Sequence, residues 1–163
     1  MAYTAVPTVN TGDPWSASDH NTYVKDNFAY LKTESDKMNT KYSTLVVVSP
    51  AVSCAVGDSA IQLPIPESVN GWNLTGIKGY VVTAGVTGTM DIQIRNATQT
   101  ADMLSTKLTI DAGETSSNTA ATAAVIDTNN DDVATNDIVC VDIDAVHTTP
   151  ALGLVVELKW EKP

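Results

Sequence analysis

Between Trp15 and Tyr42 the apolar residues Val24, Phe28, Leu31, Met38 and Tyr42 recur at spacings of 4, 3, 7 and 4, and Ser35 holds the place that the series leaves open. No Gly or Pro interrupts the run. Ser16 stands before it with Asp19 three residues on, a capping box with Asp in the place of Glu. The pattern predicts a helix from Ser16 to about Tyr42 with a narrow apolar stripe of period near 3.5. Such a stripe serves either a helix laid on its own β domain or self-association, and Tyr23 and Tyr30 beside it could widen the contact. Residues 1 to 14, with Pro7, Gly12 and Pro14 and no sustained period, read as an extended arm.

From about Leu45 the period changes to two. Met90 to Arg95 alternates strictly, and Leu154, Val156, Leu158 and Trp160 would share one face of a strand. Val139, Val141 and Ile143 alternate with Cys140, Asp142 and Asp144, which predicts a strand with one face inward and one wet. Further strands are expected at residues 45–48, 60–65, 77–83, 103–110 and 123–126, and Cys54 is placed in a strand as well. Turns are expected at Asn70-Gly71, Gly85 to Gly88, Ala112 to Glu114 and Asn129 to Asp132. The expected fold is therefore mainly β: an arm and one helix in a docking or oligomerisation segment, residues 1–42, then a jelly-roll-like antiparallel β-sandwich, residues 43–163.

Charge sharpens that division. The 163 residues carry a net charge of −10, of which −1 falls on residues 1–42 and −9 on residues 43–163. An acidic chain has no cluster of Lys and Arg to displace counterions from phosphates, so nucleic acid is not an expected partner. The apolar run Leu45 to Val48 is far short of the ~20 residues that span a bilayer, and no membrane or secretion leader is expected. With 43% hydrophobic and 17% charged residues the chain lies well away from disordered compositions.

Candidate chemistry is sparse. His20 and His147 have no nucleophile motif beside them and read as surface residues. The pairs Asp142/Asp144 and Asp131/Asp132 read as solvated carboxylates, for which no aromatic sugar cleft is visible. Residues 127–132 alternate oxygen ligands as a calcium loop does, but Asp132 stands where the EF-hand needs Gly and Ile138 where it needs Glu. The sequons at Asn73 and Asn96 read as chance. Cys54 and Cys140 lack CxxC spacing and read as buried free thiols. No catalytic residue, cofactor or metal is expected.

The run Trp15 to Leu31, with Asn21, Tyr23, Val24, Lys25, Asp26, Asn27, Phe28 and Leu31, resembles a segment found near the N-terminus of virion structural proteins of tailed bacteriophages. The order of Ser105 to Glu114, Ile138 to Asp144 and Gly153 to Leu158 is similar to β modules of phage head and tail proteins. The resemblance implies a virion part, assembled in the host cytoplasm, and no catalysis. Within that class the expected role is a capsid decoration protein that binds the major capsid protein, as a homotrimer, through Trp15, Tyr23, Val24, Phe28, Tyr30 and Leu31. The alternative is a tail-fibre or receptor-binding protein, which would expose aromatic side chains on the β domain; a glycan-degrading enzyme would instead need two facing carboxylates in a cleft.

Overall fold

The computed structural model describes the backbone from residue 17 onward, and side chains from residue 21 with the exception of Asp36. The expected arm, Trp15, the Ser16 cap and the side chains of Asp19 and His20 lie outside the described residues. The chain divides into two units at Thr40/Lys41.

In the first unit α1 covers Ala17–Met38. It ends a turn earlier than the stripe suggested. The Asn39 N–H still donates to the Ser35 carbonyl at 3.1 Å, and β1 begins at Thr40. Thr40, Thr44 and Val46 to Val48 are β-branched and stiff at χ1, so the chain turns extended here, and Tyr42 belongs to a strand rather than to the helix. Lys37 in the last turn favours the negative helix end and pairs with Glu34 at 2.7 Å, a hydrogen bond that raises its pKa. No helix among the described residues is long and apolar enough to cross a membrane.

The second unit is built from β1 (Thr40–Ser53), β2 (Gly57–Pro64), β3 (Trp72–Tyr80), β4 (Thr89–Asn96), β5 (Ala101–Asp102), β6 (Leu104–Thr106), β7 (Leu108–Asp111), β8 (Val125–Ile126), β9 (Asp132–Val133), β10 (Ile138–Ala145) and β11 (Leu152–Glu161). One sheet has the order β1-β11-β3-β9 and the other β2-β10-β4-β5, with β7 also paired to β4. β5 meets β4 at Arg95 and Asn96, and β7 meets it from Thr89 to Ile92, so these two short strands together make one position in the sheet. Counted in that way, eight positions give the orders 1-8-3-6 and 2-7-4-5. That is the jelly roll: the chain crosses repeatedly from one sheet to the other and folds as two Greek keys. The β6–β8 ribbon is an addition to it.

Alternation in the sequence becomes burial in the sandwich. Leu154, Val156, Leu158 and Trp160 of β11 are buried, as are Met90, Ile92 and Ile94 of β4, Val139, Val141 and Ile143 of β10, and Trp72 and Leu74 of β3. Each such side chain contributes about 1.5–3 kcal/mol on leaving water, and together they form one core. The sheets approach closely at Gly79, where an added Cβ would meet Leu108 Cδ2 at 2.9 Å. Two polar contacts tie β1 inward: Trp160 Nε1 donates to Ser43 Oγ at 3.1 Å, and the Lys41 ammonium lies 4.7 Å from the Trp72 ring centre. The second is worth about 0.5–1 kcal/mol, less than one buried Leu.

The expected strand at 103–110 is two strands, split at Lys107, whose partners differ: β6 pairs with β8 and β7 with β4. The two-residue strands β5 and β9 have no counterpart among the expected elements. Cys54 follows β1 instead of lying in a strand, its N–H donating to the Ala151 carbonyl at 2.9 Å.

Candidate docking surface

A helix earns burial only on the face its apolar residues define. In α1 that face is open: Val24 is 40% exposed, Phe28 68%, Leu31 59% and Met38 71%. Ser35, in the same row, is also exposed. Tyr23 and Tyr30 are half-buried. The structure thus places five of the six expected docking residues on one helix, with Val24, Phe28 and Leu31 in a single exposed row and the two tyrosines beside it. Large apolar side chains are common one at a time on a surface; four in one row of a helix make this row the candidate contact surface. Within the helix Thr33 Oγ1 donates to the Ala29 carbonyl at 2.9 Å.

Polar groups of the β unit are placed differently from the sequence expectation. His147 is not on the surface. It is 2% exposed, with Nε2 3.1 Å from the Ile110 carbonyl oxygen and Nδ1 buried without a hydrogen-bond partner. Its ring fills the space that Gly85 leaves open. Asp142 does not face water either: it is 5% exposed, because Arg95 from the neighbouring β4 lies over it, with Nε donating to Oδ2 at 2.7 Å. That hydrogen bond raises the pKa of the guanidinium. Asp144 remains exposed and pairs with Lys107 at 2.8 Å. The two aspartates therefore serve separate ion pairs.

In the 127–132 turn Asp127 accepts hydrogen bonds from the Asn129 N–H at 3.0 Å and from the side chains of Asn129 and Asn130, which hold its carboxyl below the ordinary range. Asp131 turns inward, and burial pushes its carboxyl above that range. No group of three or more His, Cys, Asp or Glu among the described residues is arranged to hold a metal ion.

A buried anchor missing from the sequence reading is Asp137. Its Oδ2 accepts from Asn96 Nδ2 and Gln99 Nε2 at 2.8 Å each and from the Ala134 N–H at 2.9 Å. Burial resists ionisation, but these three bonds outweigh it and hold the carboxyl below its ordinary value. A local signal did exist: Thr135-Asn136-Asp137 has turn composition, and Asn136 takes a positive φ of 71°. The partner Asn96, one of the two sequon asparagines, is fully buried. Cys54 and Cys140 are both buried and unbonded to one another, and burial pushes the Cys54 thiol up.

On the outer face of the β1-β11-β3 sheet, Tyr42 lines an open depression of about 510 Å³ with Gly76, Ile77, Lys78, Glu157 and Lys159. Tyr42 is 60% exposed, whereas Trp72 and Trp160 are buried and Tyr80 is half-buried. No family model, no curated protein and no solved structure matches this chain.

Proposed function

We propose that this chain is a structural subunit of a tailed-bacteriophage virion: a capsid decoration protein that binds the major capsid protein on the outside of the head through its first 42 residues. The observation that carries the reading is the exposed row Val24, Phe28, Leu31 on a helix that forms a unit apart from an acidic jelly roll with its own core. The resemblance of Trp15 to Leu31 to virion proteins points the same way, and the jelly roll is an architecture that viral capsid domains use among others. On this reading the helix segment contacts the particle, and the β unit stands in solvent. Its acidity keeps particles apart. No catalytic step is assigned to any residue.

Deleting residues 1–31 tests the reading. The truncated protein is expected to keep its β-sheet circular dichroism and to stay in the supernatant when undecorated heads are sedimented. Co-sedimentation at the occupancy of the full chain would end the proposal.

One observation favours the second reading, a tail-fibre or receptor-binding protein that contacts a host-surface glycan. Tyr42 offers an exposed ring above a depression with polar groups at its rim. It carries less weight because both tryptophans of that unit are buried.

A further inference from the structure

We propose that α1 joins copies of this chain in a parallel helical bundle, with Val24, Phe28, Leu31 and Met38 as the seam. The inference rests on the docking reading of residues 1–42 and assigns the exposed row within them to a second copy, so that the assembled bundle rather than the single helix meets the particle.

The argument begins from register. Val24, Phe28, Leu31, Ser35 and Met38 follow one another at spacings of 4, 3, 4 and 3, the a and d positions of a heptad, with Phe28 and Ser35 at a. All five are exposed, whereas Asp26, Ala29 and Thr33 on the other side of the helix are half-buried. The apolar row is thus the more open side of the helix, the reverse of a helix satisfied within its own fold. A seam two residues wide that keeps a seven-residue repeat fits another helix, since only a supercoiled partner follows it; a sheet would take a broader face. Among the described residues α1 is the one α-helix of this chain. The α1 of a second copy presents the same seam at the same repeat and is the partner helix of this proposal.

Charge supports the same occupant and sets the direction. Residues 41–163 carry six basic and fourteen acidic residues, a net of −8, so the β units repel at the shared end of a parallel bundle and the association must come from the seam. Residues 17–38 carry three basic and four acidic residues, a net of −1, so copies meet there with little repulsion. Lys25 and Lys32 both fall at e positions beside the seam, and Asn27 and Glu34 at g. An antiparallel pair would bring e against e and set Lys25 against Lys32 of the other copy. A parallel pair sets g against e and avoids this.

The test uses the full chain in solution, by sedimentation velocity over a range of concentrations. The wild type is expected to associate, and Phe28→Ser to weaken association by on the order of a hundredfold while the near-ultraviolet circular dichroism of the β unit is unchanged. A Ser35→Cys variant, oxidised by dissolved oxygen, is expected to form a disulfide between copies, because a parallel seam puts the two residues in one layer; Cys54 and Cys140 are buried. Adding Phe28→Ser is expected to abolish that cross-link. A wild type that stays monomeric, an oligomer indifferent to Phe28→Ser, or association only when capsid protein is added would overturn the proposal. A monomer that still decorates heads leaves the virion reading standing, and an oligomer absent from virions does the converse.

Discussion

Arg95 and Asp142, 47 residues apart in the sequence, lie against each other across β4 and β10, with Arg95 Nε donating to Asp142 Oδ2 at 2.7 Å and Nη2 reaching both Asp142 Oδ1 and Ser59 Oγ. The Ser59 N–H donates to the same carboxylate, so one buried Asp joins β4, β10 and the β2 edge. Removing it takes away the shared acceptor of the half-buried Arg95 guanidinium and of the Ser59 N–H, and empties a buried position. Asp142→Ala is expected to lower stability by about 2–3 kcal/mol, and Asp144→Ala, which breaks only the exposed pair with Lys107, by less than about 1. Urea unfolding of the two variants side by side checks the contrast; equal losses would contradict it.

Gly85 offers a second test, since any Cβ there enters the space of the His147 ring. Gly85→Ala is expected to cost about 1–3 kcal/mol through overpacking. Combined with His147→Ala, which empties that space, the loss should be smaller than the sum of the two single losses. Additive losses in thermal unfolding would mean that the ring and the glycine are not coupled.

Two buried aspartates should respond to pH with opposite signs. Burial holds the Asp131 carboxyl above its ordinary range, so the folded state is penalised while the group is charged. Asp131→Asn is expected to stabilise near pH 7. That advantage shrinks as the pH falls through the raised native value, and is gone below the unfolded value of about 3.9. Asp137 is held below its ordinary value by three hydrogen bonds, and its contribution is present above about pH 3.9 and lost as the pH falls through the lower native value. Asp137→Ala is therefore expected to be most damaging near neutrality and less so in acid. Unfolding free energies at neutral and acid pH give both slopes, and slopes of the same sign would refute the assignment.

Cys54, whose Sγ lies 3.8 Å from the Gly153 carbonyl oxygen, and Cys140 are both buried thiols. Neither should react with an aromatic disulfide reagent on mixing with native protein, and both should react at once in denaturant. Two fast equivalents in the native state would place the thiols at the surface instead.

Much of the sandwich was legible because β-strand burial is a local pattern. Leu154, Val156, Leu158 and Trp160 alternate in sequence and are buried as that alternation requires. Tyr42 misled for a physical reason: it continues the helical row from Met38, yet it also fits the outward positions of β1 with Thr44 and Val46, and the β-branched run from Thr40 decides in favour of the strand. Burial of Asp142 and His147 was not legible, since it depends on Arg95 and Ile110, residues 47 and 37 positions away. Strands as short as β5 and β9 carry no period at all. The row on α1 was the readable part of the candidate surface, whereas its exposure required the structure.

The central claim, that this chain decorates a phage head, is tested most directly by its copy number relative to the major capsid protein in purified particles, measured by quantitative mass spectrometry. A decoration protein is present in numbers that scale with the capsid lattice, comparable to those of the capsid protein itself. A handful of copies per particle would contradict the account and place the chain at a tail or a single vertex.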